Sequence, residues 1–263
     1  MMRIVVPLRR VLDPSGIVAH RRLRRLFINR EQYMIEPSDH GALEAALRIK
    51  EDTDAEVVVV SGRPEPDDDT LRRGLAMGAE RAIYLAGDRF ENADEAVMAR
   101  ALEAVIERLG GADLVVAGMT TLDTGQGQLG LRLAELLGWA QVVGAWSVEM
   151  TDGRLEAVCG NGDTYVRVEA DLPVVLTAPA GALKPRYPDG VRLINVYRGE
   201  RGMAEAIEEW DVADLLTAGE RVPLLENRGR DFPPERERGT RVEGTAEQAG
   251  LAVAEALRQR LRR

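Results

Sequence analysis

The sequence has one cysteine, Cys159, and two histidines, His20 and His40. A lone cysteine excludes an internal disulfide and fits a reducing compartment, so the expected location is cytoplasmic. Neither histidine has a cysteine or a second histidine at ligand spacing, which argues against a zinc centre. Lysine is nearly missing: of 35 Lys and Arg only Lys50 and Lys184 are lysines, which reads as codon bias rather than function. No apolar run approaches about eighteen residues, so no membrane-spanning helix is expected. The apolar piece near the start, Ile4–Leu8, is too short for a signal peptide. Gly-x-Ser-x-Gly is absent, and with it the nucleophile elbow of a serine hydrolase.

What is present is ordinary globular chemistry. The 263 residues are 45% apolar and 30% charged, enough for a sizeable core without a metal or crosslink. The net charge of −9 is unevenly spread: residues 1–30 hold eight Arg against one Asp, or +7, which leaves −16 for the remainder. An acidic body argues against nucleic-acid binding. The basic run His20–Arg25 reads as a solvated hairpin or loop, with contact to an anion or an acidic partner as the alternative.

Strand and helix signals alternate through the first half. Arg3–Leu8, Glu56–Ser61, Ala82–Leu85 and Asp113–Ala117 are short apolar, largely β-branched runs. Between them, Pro37–Glu51, a segment from Asp67 to Met77, Asp94–Leu109 and Gly127–Leu137 carry helical spacing, and Ile17–Ile35 reads as a hairpin excursion. In the second half Val142–Met150, Arg154–Cys159 and Thr164–Glu169 read as antiparallel strands. Asp152-Gly153 and Asn161-Gly162 are the turns between them. Leu172–Thr177 is expected to return to the main sheet. Residues 199–240 are polar and weakly periodic, and Thr245 with Gln248 forms a capping box before a final helix. The expected fold is α/β: a doubly wound, mostly parallel sheet with an antiparallel hairpin extension. An α/β domain over 1–198 precedes a C-terminal arm over 199–263. Such sheets bind ligands beyond the carboxyl ends of their strands. The candidate lips are Leu8–Arg10, Gly62–Arg63 and Gly118–Gln128.

The informative segment is Gly118-Met119-Thr120-Thr121-Leu122-Asp123-Thr124-Gly125-Gln126-Gly127-Gln128-Leu129-Gly130, which follows a strand and opens a helix. Amides at a helix start lack intrahelical partners and suit an anion, most often phosphate. The segment holds no Lys or Arg and no GxGxxG, so it is neither a Walker loop nor a dinucleotide fingerprint. It reads as a nucleotide loop or, equally, as a glycine-rich strand-to-helix turn. Catalytic alternatives are thin. Cys159 sits in a predicted strand with nothing near it to activate the thiol. Asp67-Asp68-Asp69 reads as a helix start favoured by the dipole rather than a cation site. No catalytic or metal-ligating residue is assigned.

Six stretches in order resemble the β subunit of electron transfer flavoproteins. Met2–Pro14 is similar to its M-K-I-L-V-x-V-K-R-V-x-D-P start, and Glu36-Pro37-Ser38-Asp39 stands where it has N-P-F-D. Thr70–Ala82 is similar to T-L-R-x-A-L-A-M-G-A-D-R-A, and Gly118–Gly130 lies at G-x-Q-x-x-D-x-D-x-x-Q-x-G. Pro185-Arg186-Tyr187 matches P-R-Y, and Pro233-Pro234 through Glu247 resembles the ending. The resemblance implies an electron carrier rather than an enzyme, with an adenine nucleotide α-hydrolase-like fold. It implies a heterodimer with an α subunit that holds the redox FAD, docking to a flavin dehydrogenase and a quinone reductase or other acceptor. It also implies an adenine nucleotide on this chain, AMP or, in bifurcating members, a second FAD. The implied contacts are Pro7, Glu36, Pro37, Ser38, Asp39, Gly62 and Gly118 through Leu129, with Arg9 and Arg10 as candidates for anion contact.

The chain departs from that pattern in places. Gly125 replaces the second loop acid, while Asp123 and Gln128 are kept; Met119 and Thr120 replace a basic or polar residue and a glutamine. These losses favour AMP over a second FAD. Small residues stand where the family carries a leucine anchor before P-R-Y, with Leu183 close but out of register. The rival reading is a stand-alone adenine-nucleotide sensor of universal-stress type, which has no need of residues 199–263.

Overall fold

A computed structural model describes residues 1–62, 68–87, 93–198, 207–226, 228–229, 232–234, 239 and 241–261. The expectations placed on Arg63, Pro64 and Asp67 lie outside them. Two compact units are present: Met1–His20 with Leu26–Arg228, and Arg21–Arg25 with Gly229–Arg263.

The larger unit is built on seven parallel strands. In chain order these are β1 (Arg3–Pro7), β6 (Glu56–Gly62), β7 (Arg81–Ala86), β8 (Leu114–Gly118), β9 (Ala140–Val142), β13 (Val174–Ala178) and β14 (Ile207–Asp211). In space they run β14-β7-β6-β1-β8-β13-β9, every pairing parallel. The helices are α1 (Pro37–Thr53), α2 (Asp68–Met77), α3 (Glu95–Arg108), α4 (Leu129–Leu137) and α5 (Gly190–Arg198). Alternate strand residues face opposite layers. Ile4, Val6, Val57 and Val59 pack with α1 and α2, whereas Val5, Val58 and Val60 pack with α3 and α4. A strand buried on both faces must be apolar throughout, which is why these runs are readable in the sequence.

Two expected boundaries move. Val142 belongs to β9 in the main sheet, and the antiparallel sheet begins later. It comprises β10 (Ala145–Thr151), β11 (Arg154–Asn161) and β12 (Thr164–Ala170). The break falls at Gly144, whose φ is +74° and whose amide donates to Thr177 Oγ1 at 3.2 Å. The tight turn Asp152-Gly153 has φ of 51° and 79°, the paired positive values that a two-residue hairpin needs. The second boundary is that of the expected arm: Ile207–Asp211 is a sheet strand, so the larger unit continues to Arg228.

The excursion after β1 is a pair of ribbons. The strands β2 (Arg10–Leu12) and β5 (Tyr33–Ile35) pair antiparallel, and β3 (Ile17–His20) pairs with β4 (Arg25–Ile28). In the smaller unit, α6 (Ala246–Leu261) starts at the expected capping box. Thr245 Oγ1 accepts from the Gln248 amide, and Gln248 Oε1 accepts from the Thr245 amide. No residue of α6 is buried.

The loop after β13 is pinned to α1 by charge. Glu44, 4% exposed, takes the Arg186 amide at 3.0 Å and Nε at 2.8 Å, and Arg48 Nε at 2.8 Å. Burial pushes the Glu44 carboxyl up, but the hydrogen bonds from Arg186 and Arg48 outweigh it and hold the carboxyl below its usual range. The native state therefore binds this proton more weakly than the unfolded chain does, so the contribution is full at neutral pH. It is lost as pH falls through about 4.3, the unfolded glutamate value, toward the lower native one. Glu44→Gln is expected to cost about 1–3 kcal/mol at pH 7, and less at pH 4, in urea unfolding.

Candidate functional site

Winding reverses at β1: β6 and β7 build outward on one side, β8 and β13 on the other. The crevice beyond the carboxyl ends of β1 and β8 is the place where an open sheet takes a ligand. Here the chain's own charged groups line its floor. Asp39, in the first turn of α1, is fully buried. Its Oδ2 accepts from the Arg9 amide at 2.7 Å and Arg9 Nε at 2.8 Å. Its Oδ1 accepts from Arg9 Nη2 at 2.6 Å and the Gly118 amide at 3.1 Å. A Cβ on Gly118 would lie 2.2 Å from Asp39 Oδ1 and 2.6 Å from the Asp39 nitrogen, so only glycine lets β8 end against α1. Burial disfavours the Arg9 cation, but Asp39, then Glu95 and Glu36, outweigh this and raise its pKa above the ordinary arginine value. Arg9, expected as an anion contact, thus spends Nε and Nη2 on Asp39 and turns Nη1 toward Glu95 Oε1 at 3.4 Å. Arg10 stacks over the Tyr33 ring, 3.6 Å from its centroid.

Glu36, 2% exposed, is the N-cap of α1 and bridges to the loop: Oε1 accepts from the Ser38 amide at 3.4 Å, Oε2 from the Leu122 amide at 2.8 Å. Burial pushes its pKa up and Asp39 adds to the rise, while the Leu122 and Ser38 amides and Arg9 act against it. Ser38 Oγ donates to the Thr120 carbonyl at 2.5 Å. Pro37 opens α1, Pro7 closes β1 in the core, and half-buried Gly62 ends β6. The structure therefore brings Glu36, Ser38 and Asp39 together with Gly118, Thr120 and Leu122.

The loop itself is a folded turn. The Thr121 amide donates to the Gln126 carbonyl at 2.8 Å, Gly125 to the Thr121 carbonyl at 2.9 Å, and Gln126 to Thr121 Oγ1 at 3.1 Å. The Thr124 amide donates to Asp123 Oδ1 at 2.7 Å, and the Met119 amide to the Ala178 carbonyl at 2.8 Å. At the N-cap of α4 the Gln128 amide donates to Glu95 Oε2 at 2.7 Å. The first intrahelical bond is made by Arg132, so the amides of Leu129, Gly130 and Leu131 precede any acceptor in the helix. Thr120, Leu122, Asp123, Thr124, Gly125 and Gln128 are exposed; Met119, Thr121, Gln126 and Gly127 are half-buried and Leu129 is buried. A groove of about 370 Å³ between α3 and α4 opens beside Gln128 and is flanked by Arg100 and Arg132. The donor set at the start of α4, neutral and backbone-based, suits an anionic group, and Glu95 already supplies one.

Glu95 is the participant that the sequence does not disclose. It sits behind Asp94, the N-cap of α3, and reads there as an acid favoured by the helix dipole. Elsewhere, Leu183 is 7% exposed and packs in the core, whereas Tyr187 is 90% exposed. Cys159 is buried in β11, and its pKa is pushed up by that burial. Among the described residues no group of His, Cys, Asp and Glu could hold a metal ion, and no helix is long and apolar enough to cross a membrane.

Fold and loop together define a doubly wound α/β chain with a Gly- and Thr-rich strand-to-helix loop at its switch point. Residues 26–215 match the family described as Electron transfer flavoprotein domain. The "Electron transfer flavoprotein subunit beta" of Methylophilus methylotrophus is 34% identical over 231 residues, 84% of either chain. The "Caffeyl-CoA reductase-Etf complex subunit CarD" of Acetobacterium woodii is 28% identical over 260 residues, 96% of this chain and 97% of that one. The "Acryloyl-CoA reductase electron transfer subunit gamma" of Anaerotignum propionicum is 26% identical over 249 residues, 93% of each. This chain belongs to the electron transfer flavoprotein family.

Proposed function

We propose that the chain is the β-type subunit of a heterodimeric electron transfer flavoprotein, relaying electrons between a dehydrogenase and a downstream acceptor. FAD, held with an α-type partner, supplies one- or two-electron transfer when bound, and the protein supplies position and electrostatics. This chain's share is to close one side of the flavin pocket and to offer a docking face. Its own ligand is an adenine nucleotide resting on Gly118–Leu129, with the Glu36–Asp39 turn beneath. The observation that carries this reading is the turn-to-helix geometry at the switch point, where exposed Thr120 and Leu122–Gly125 lead into the amides that open α4 ahead of any helical acceptor. AMP is favoured over a second FAD: Gly125 stands in place of a loop acid, and Gly118–Gly130 carries no Lys or Arg to hold a pyrophosphate.

The arm that packs on the partner is the smaller unit. Its helix α6 exposes Leu251, Val253, Leu257 and Leu261, an apolar set that an α-type subunit would cover. Co-expression with an electron transfer flavoprotein α subunit, followed by denaturation and mass analysis of released nucleotides, tests the reading. One FAD and one AMP per heterodimer is the expected yield. Two FAD would make the chain a bifurcating subunit, and a colourless complex would remove the relay.

A further inference from the structure

The end of α4 nearest the loop already has an anion. Glu95, with its side chain 11% exposed, reaches across from α3. Its Oε2 takes the Gln128 amide at 2.7 Å and its Oε1 lies 3.4 Å from Arg9 Nη1. Both partners are groups that would otherwise meet a phosphate: an amide at a helix start, and a guanidinium with one nitrogen not spent on Asp39. Glu36 and Asp39 stand behind, so a phosphate arriving here meets three carboxylates of this chain beside Arg9, while Arg132 is held on the Gln128 side-chain oxygen at 2.7 Å.

We propose, building on the nucleotide reading above, that Glu95 is the specificity-determining residue of this site, an intramolecular stand-in for phosphate that a nucleotide must displace. Like charges close together in a partly buried site repel strongly. Glu95 therefore leaves α4 as phosphate enters, Gln128 exchanges one anion for the other, and Arg9 Nη1 turns from carboxylate to phosphate. The Asp39 fork holds the rest of Arg9 in place while this happens. The cost of displacing Glu95 grows with the charge of the incoming group, so the site discriminates against highly charged tails and favours the lower phosphate.

Calorimetric titration of AMP and of adenosine into the full-length chain, parent and Glu95→Gln, tests this. Glutamine keeps an oxygen for the Gln128 amide and drops the charge. AMP is expected to bind the variant about tenfold more tightly, a gain of about 1.4 kcal/mol, while adenosine binds both forms alike. Glu95→Asp, which keeps the charge, is expected to stay within about threefold of the parent, and thermal unfolding of each variant reports its folding. AMP binding that is measurable and unchanged in Glu95→Gln overturns the stand-in role and leaves the nucleotide site intact. An equal gain for adenosine also overturns it, because relief would then be steric. No AMP binding by any form overturns the site and the stand-in together.

Discussion

Arg9→Met is expected to remove about 3–5 kcal/mol of stability, the largest loss available from one substitution near the site. Asp39 is fully buried and takes three of its four donors from Arg9, the side-chain Nε and Nη2 and the backbone amide. Methionine fills much of the same volume but leaves the carboxylate stranded, with only the Arg9 and Gly118 amides to satisfy it. Breaking a buried pair on one side is costly because the remaining charge cannot return to water. Urea unfolding should show a lower midpoint with an unchanged slope. Adding Asp39→Asn should recover part of the loss, since asparagine keeps an oxygen for the Gly118 amide and carries no charge. A loss below about 1 kcal/mol would place the pair among ordinary surface ion pairs.

Gly118→Ala is the second large effect. The added carbon would meet Asp39 Oδ1 at 2.2 Å, Ser38 Oγ at 2.4 Å and the Asp39 nitrogen at 2.6 Å. None of these is the loose end of a flexible chain: one is backbone and two are hydrogen-bonded. Either β8 separates from α1 or the Asp39 fork opens. Overpacking of this kind costs about 1–3 kcal/mol, and the rigid partners place this site at the upper end. Gly250 supplies the contrast. It lies inside α6, and a Cβ added there would meet nothing within 4 Å, so alanine should gain about 0.5–1 kcal/mol of helix preference. Thermal melts of the two variants should therefore move in opposite directions.

The legible parts of the sequence are those in which one physical demand dominates. Arg3–Pro7, Glu56–Gly62 and Leu114–Gly118 are central strands, and burial on both faces leaves them no choice but apolar residues. The edge strands are harder to read because that demand is weak there. Ala140–Val142 is only three residues, and Ile207–Asp211 is mostly acidic, with Trp210 as its one buried residue. The position of the loop is readable from its glycines and from the strand before it. Which of its amides remain available is not. Glu36 and Glu95 decide that, and they come from helices far away in the chain; the family resemblance points to Glu36, but nothing local marks Glu95 as anything but a helix start.

The sheet's two rims are finished differently, and this bears on how the chain assembles. One rim is β9, too short to template another strand. The other is β14, where Glu208, Glu209 and Asp211 would set carboxylates against an identical incoming rim. Edge-to-edge growth of the sheet into fibres or ribbons is therefore disfavoured at both ends. Contact with another molecule is directed away from backbone pairing along the sheet and onto side-chain surfaces, where recognition can be selective.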